Sequence, residues 1–140
     1  MHLDLFLSLP VRFEKTLNVE SKVFTQDKNN FKRCKLLIDT GASNTALTRE
    51  LVQDILKYDN FSKSSVIKRT AAGYIQFYNS IVSRIEMGNQ FAFNNWVVDI
   101  LEWTDSEIEG VIGMDILSKL HFHSDTYTFT LQNKPFIFQN

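Results

Sequence analysis

In Leu36-Leu37-Ile38-Asp39-Thr40-Gly41-Ala42-Ser43 a carboxylate follows three apolar residues and precedes a run of small ones. The apolar run reads as a buried strand, so Asp39 stands where a carboxylate loses hydration and must recover it from N–H groups, hydroxyls or a partner. Gly41 and Ala42 allow another backbone to come close, and Thr40 and Ser43 supply hydroxyls. A carboxylate in such a place can do acid–base chemistry; the same tripeptide can also be an Asx-type turn that ends a strand. A second segment, Glu109-Gly110-Val111-Ile112-Gly113-Met114-Asp115-Ile116-Leu117, sets two apolar residues and a Gly ahead of a short helical stretch. His121 and His123 are two apart on a strand and share a face, but without a clear third ligand no metal site is expected. Cys34, the one cysteine, lacks a visible activating partner and reads as a buried small residue.

In order and spacing these segments resemble the retropepsin-like aspartic proteases, the single-domain relatives of retroviral proteases. In that family an apolar strand carries Asp-Thr-Gly, a hairpin forms a flap over it, and a late apolar-apolar-Gly motif followed by a helix braces it. The matching pieces are the run from Leu36 to Ser43, the hairpin around Thr70-Ala71-Ala72-Gly73, and Val111-Ile112-Gly113 with the helix after it. The resemblance covers roughly residues 32 to 131. It implies an all-β domain, a distorted closed barrel with one helix after the Asp-Thr-Gly loop and one short helix after Gly113, and an endopeptidase that needs no cofactor.

Carried onto this sequence, the resemblance makes Asp39 the catalytic aspartate, with Thr40 and Gly41 completing its triplet. It puts Ala42, Ser43 and the flap residues Ala71, Ala72, Gly73 and Tyr74 against a polypeptide substrate, and gives Ile112, Gly113 and Asp115 a supporting role. The family uses two triplets, and none of Asp4, Asp27, Asp54, Asp59, Asp99, Asp105, Asp115 or Asp125 is followed by Thr-Gly or Ser-Gly. The implied solution is a homodimer in which Asp39 of each subunit meets its counterpart at the two-fold axis. Two carboxyl groups about 3 Å apart share one proton, so one acts as base on a bound water and the other donates to the peptide carbonyl.

The sequence also departs from the retroviral pattern. An Asp after Gly-Ala and an Arg in the late motif usually pair there; Ser43 and Met114 hold those places. Both ends are lost together, which leaves no orphaned charge. Asp115 could be a second acid within one chain, but the first turn of a helix favours Asp for structural reasons. An alternative reading keeps the fold as a binding or dimerisation module with little or no proteolytic activity. A nucleotide-binding loop like that of actin-type ATPases would need two lobes, which this length does not provide.

The elements that must position these residues follow from patterning. Alternation at Leu3, Leu5, Leu7, Leu9, Val11 and Phe13, then at Leu17, Val19 and, with a possible shift, Val23, predicts half-buried strands. Leu51, Val52, Ile55 and Leu56 recur at helical spacing behind a Thr48 N-cap, so a helix is expected over 49–57. The stretches 64–70 and 74–87 read as a hairpin, Gly88-Asn89 as the next turn, and Met114 to Leu120 as two helical turns. Pro135 places the last segment, Pro135 to Phe138, at a sheet edge. With 140 residues, 44% of them hydrophobic and 22% charged, the expectation is one globular domain over 1–140. A formal charge of -1 gives no field to attract nucleic acid. No apolar run is long enough to cross a membrane, the N-terminal segment lacks the basic start of a signal peptide, and a lone cysteine suits a reducing compartment. A cytoplasmic protein is the expectation.

Overall fold

The computed structural model describes residues 8–13, 17–25, 29–56, 64–70, 73–88, 90–102, 108–124 and 129–133. Expectations for Leu3 to Leu7, Ala71, Ala72 and the Pro135 segment lie outside these residues. The elements run β1 Ser8–Phe13, β2 Leu17–Phe24, β3 Phe31–Ile38, β4 Ala46–Thr48, α1 Arg49–Leu56, β5 Ser64–Thr70, β6 Gly73–Met87, β7 Phe91–Leu101, β8 Gly110–Ile112, α2 Met114–Leu117, β9 His121–Ser124 and β10 Phe129–Gln132.

The strands form one sheet in the order β5-β6-β7-β4-β8-β3-β2-β1-β10-β9, and a further pairing of β6 with β2 curls its middle back on itself. That pairing, Ser21↔Met87 to Val23↔Ile85, closes β6, β7, β4, β8, β3 and β2 into a six-strand barrel. The expected all-β barrel is therefore the fold. β6 can serve both the β5–β6 hairpin and the barrel wall because it is 15 residues long.

Burial follows the period of two. In β2, Val19, Ser21 and Val23 face inward. The alternation therefore runs through without the shift that the sequence pattern allowed. Ser21 takes the inward place of an apolar residue, and its hydroxyl donates to the Val19 carbonyl at 3.3 Å, so no polar group is stranded. Leu36, Leu47, Ile85, Ile112, Ile116 and Leu117 are wholly inaccessible, and each contributes about 1.5–3 kcal/mol by burial. The helix begins as expected: Thr48 Oγ1 accepts the Leu51 N–H at 3.4 Å, and Leu51, Val52 and Ile55 face the core. α2 is shorter than the two turns expected. Its helical residues end at Leu117, and the chain continues in tight turns through Lys119 N–H to Ile116 O and Leu120 N–H to Leu117 O.

Cys34 lies in this core, and burial pushes its thiol up to about 12, from an ordinary value of 9.0. The unfolded chain loses this proton first, so the stabilisation is complete below about pH 9 and falls as pH rises toward 12, by at most about 1.4 kcal/mol per pH unit. Denaturant titrations at pH 8 and pH 10 should show a smaller alkaline loss for Cys34→Ala than for the parent. Equal losses would mean that this thiol is not desolvated.

Candidate active site

β3 and β8 run parallel, with Leu37 opposite Val111 and Ile38 opposite Ile112. Asp39 continues that pairing by one residue, its N–H donating to the Ile112 carbonyl at 3.0 Å. The chain then turns: the Ala42 N–H donates to the Asp39 carbonyl at 3.2 Å, and the Gly41 N–H donates to Asp39 Oδ1 at 2.9 Å. The carboxylate is half-buried, and among the described residues its Oδ2 receives no hydrogen bond. Thr40, Gly41 and Ser43 are exposed and Ala42 is half-buried, so the triplet opens on the protein surface.

The segment after β8 holds this loop from below. The Met114 N–H donates to the Ala42 carbonyl at 2.8 Å, and the Asp115 N–H to the Ser43 carbonyl at 3.1 Å. Two backbone bonds thus tie Ala42 and Ser43 to Met114 and Asp115. A Cβ on Gly113 would stand 2.5 Å from the Asn44 carbonyl carbon, so only glycine lets the two segments come this close.

Asp115 ties the assembly together. Its Oδ1 accepts the Thr45 N–H at 2.9 Å, the Thr45 hydroxyl at 2.7 Å and the Ile116 N–H at 2.9 Å, while Oδ2 accepts the Trp96 indole N–H at 2.9 Å. Thr45 Oγ1 in turn accepts the Gly113 N–H at 3.1 Å. Loop, β7 and α2 therefore meet on one carboxylate. Neither Thr45 nor Trp96 is among the site residues expected from the sequence. Thr45 is fully buried and its partner is 70 residues away, so no local signal in the sequence marks it.

The remaining expected residues take separate places. Ile112 is in the core. Gly73 has φ +105, a conformation that glycine adopts at no steric cost, and pairs with Thr70 across the hairpin. Tyr74 beside it is 77% exposed. The flap candidates Ala71 and Ala72 lie outside the described residues. His121 is exposed on β9, and no cluster of three or more His, Cys, Asp or Glu occurs among the described residues.

A six-strand barrel whose parallel pair ends in an Asp-Thr-Gly turn, closed from below by a Gly and a short helix, has the retropepsin-like architecture. The crystal structure of a retropepsin-like aspartic protease from Rickettsia conorii is similar to it over 91% of this chain and 92% of that one, with a TM-score of 0.63 and 21% identity. Residues 27–119 match the family described as "gag-polyprotein putative aspartyl protease". The chain belongs to this retropepsin-like aspartyl protease family. No curated protein sequence matches it.

Proposed function

We propose that the protein is an aspartic endopeptidase whose catalytic dyad is formed by Asp39 from each subunit of a homodimer, with residues 1–140 as one catalytic domain per subunit. The observation that carries this reading is the state of the two carboxylates in the loop region. Asp39 is presented at the surface with one oxygen held by its own loop, whereas both oxygens of Asp115 already hold donors. A carboxylate so engaged has little capacity left to activate water, which leaves a second copy of Asp39 as the natural partner.

In the dimer the two carboxyls share a proton. The ionised one removes a proton from the water that attacks the peptide carbonyl, and the protonated one hydrogen-bonds the carbonyl oxygen. Transfer of a proton to the amine nitrogen then releases the two product chains. The sum is one water consumed for each peptide bond broken. The single cysteine suits a reducing compartment such as the cytoplasm.

Mass-spectrometric detection of cut peptides in a protein digest tests the activity. New termini that depend on the intact protein support the endopeptidase. A dimer that binds peptides without producing any would favour a binding or dimerisation module instead.

The pH profile should also respond to position 42. Ala42 offers no side-chain donor next to the triplet, whereas a hydroxyl there could hydrogen-bond the ionised carboxylate and favour it. The acidic limb of kcat/KM is therefore expected to move to lower pH in Ala42→Ser. An unchanged limb in an intact dimer would mean that this residue does not set the proton affinity of the dyad.

A further inference from the structure

The outer face of the barrel wall carries a cluster of side chains remote from the Asp39 loop. Residues that alternate with the core point outward there: Lys22 and Phe24 on β2, Phe31 and Arg33 on β3, Arg84 and Glu86 on β6. The ladder sets Lys22 directly opposite Arg33 on one side and Glu86 on the other. Phe24 stands opposite Phe31, with ring centroids 5.4 Å apart. Like charges directly opposite each other in a sheet are destabilising, so the Lys22–Arg33 pair calls for a counter-charge.

The Phe31 ring supplies part of the balance. Lys22 Nζ lies 4.7 Å from its centroid and Arg33 Cζ 5.6 Å. A ring face attracts a cation without neutralising it, at about 0.5–1 kcal/mol on an exposed site. The carboxylate nearest in the ladder, Glu86, is already held by Arg84 at 2.8 Å. Lys32, Arg49 and Arg84 each have a carboxylate partner, whereas Lys22 and Arg33 have none among the described residues. Two cations rich in N–H donors are therefore held in fixed places beside a ring that is 43% exposed.

We propose that this face docks an acidic segment of the substrate polypeptide, with carboxylates on Lys22 and Arg33 and an apolar side chain beside Phe31. β2 and β3 are interior strands with a neighbour on each side, so a guest is recognised through side chains and not as an added strand. A phosphate backbone fits less well, because Glu20 and Glu86 flank the cations and the chain carries a net charge of -1. β3 also sets the distance to the chemistry: at about 3.3 Å per residue, roughly 20 Å separates Arg33 from Asp39 along the strand. A segment docked there tethers the scissile bond and raises its effective concentration at the dyad. That role in cleavage rests on the endopeptidase reading, while docking itself is measurable without turnover.

Asp39→Asn protein is titrated by fluorescence anisotropy with a labelled peptide in which Glu residues flank a single Leu, with its Gln counterpart, and with oligothymidylate. The Glu peptide should bind about tenfold more tightly than the Gln peptide, and the preference should shrink as salt is raised. Arg33→Gln and Lys22→Gln, each added to this protein, should remove most of the preference. Lys35→Gln should not, because Lys35 stands opposite Glu20 and is already balanced. Thermal unfolding of each variant separates lost binding from lost fold. In the active protein, joining the Glu segment to a cleaved peptide through a flexible spacer long enough to span β3 should lower KM about tenfold and leave kcat unchanged. Equal binding of the Glu and Gln peptides, with cleavage seen, overturns the docking face and leaves the endopeptidase standing. Tighter binding of oligothymidylate than of the Glu peptide overturns it in favour of a nucleic-acid surface. Preferential binding that depends on Arg33, without cleavage of any peptide, keeps the face and overturns the endopeptidase. Cleavage whose KM ignores the Glu segment overturns recruitment of substrate by this face.

Discussion

Asp39→Asn is expected to lower kcat/KM by at least about 10³-fold while the barrel stays folded, because an amide cannot take the proton of the attacking water. The substitution keeps the local geometry. Asn presents an Oδ1 that can accept the Gly41 N–H as the carboxylate does at 2.9 Å, and the Asp39 N–H to Ile112 bond involves only backbone. The melting temperature should therefore change by no more than a few degrees, which separates lost chemistry from lost structure. A purified Asn variant that cuts at the parent rate would remove Asp39 from the mechanism.

The second large effect is structural. Asp115→Ala leaves the Thr45 N–H and hydroxyl and the Trp96 indole N–H without their acceptor, and Thr45 has no exposed surface through which water could replace it. Unsatisfied buried donors cost about 1–3 kcal/mol each, and partial relaxation around Trp96 makes about 3 kcal/mol a reasonable total. For a chain of this size that corresponds to a loss of roughly 10 °C in Tm. Asp115→Asn keeps one acceptor for Thr45 and should lose less than half as much. Where Asp115→Ala still folds, kcat should fall about 10²-fold, since the Asp39 loop is held through the same segment and small misplacements of catalytic groups are costly. A variant with parent stability would show that water satisfies these donors.

The parts of this arrangement that were legible in the sequence are those written in adjacent residues. The apolar run into Asp39, the Thr48 cap with its helix, and the hairpin up to Gly73 each depend on contacts within a few positions. β4 was not legible, because three residues make too short a strand to show a period. It exists through its neighbours, parallel to β7 at Ala46↔Asp99 and antiparallel to β8 at Ala46↔Val111. The Thr45–Asp115–Trp96 network was hidden for the same reason, since its members lie 70 and 19 residues apart. The length of α2 was overestimated because Met114 to Leu120 keeps an apolar spacing that fits two turns, while packing of Leu117 and Leu120 is achieved with tighter turns after one. Ser21 shows the converse case, a polar residue that satisfies itself locally and so sits in an apolar row without breaking the register.

An active unit built from two copies of Asp39 must dissociate on dilution. The most direct measurement is specific activity against protein concentration, with sedimentation run over the same range. Specific activity is expected to fall as the dimer dissociates, tracking the dimer fraction, and adding Asp39→Asn protein at low concentration should not restore it. Constant specific activity from a species shown to be monomeric would contradict the account and place both acids of the dyad in a single chain.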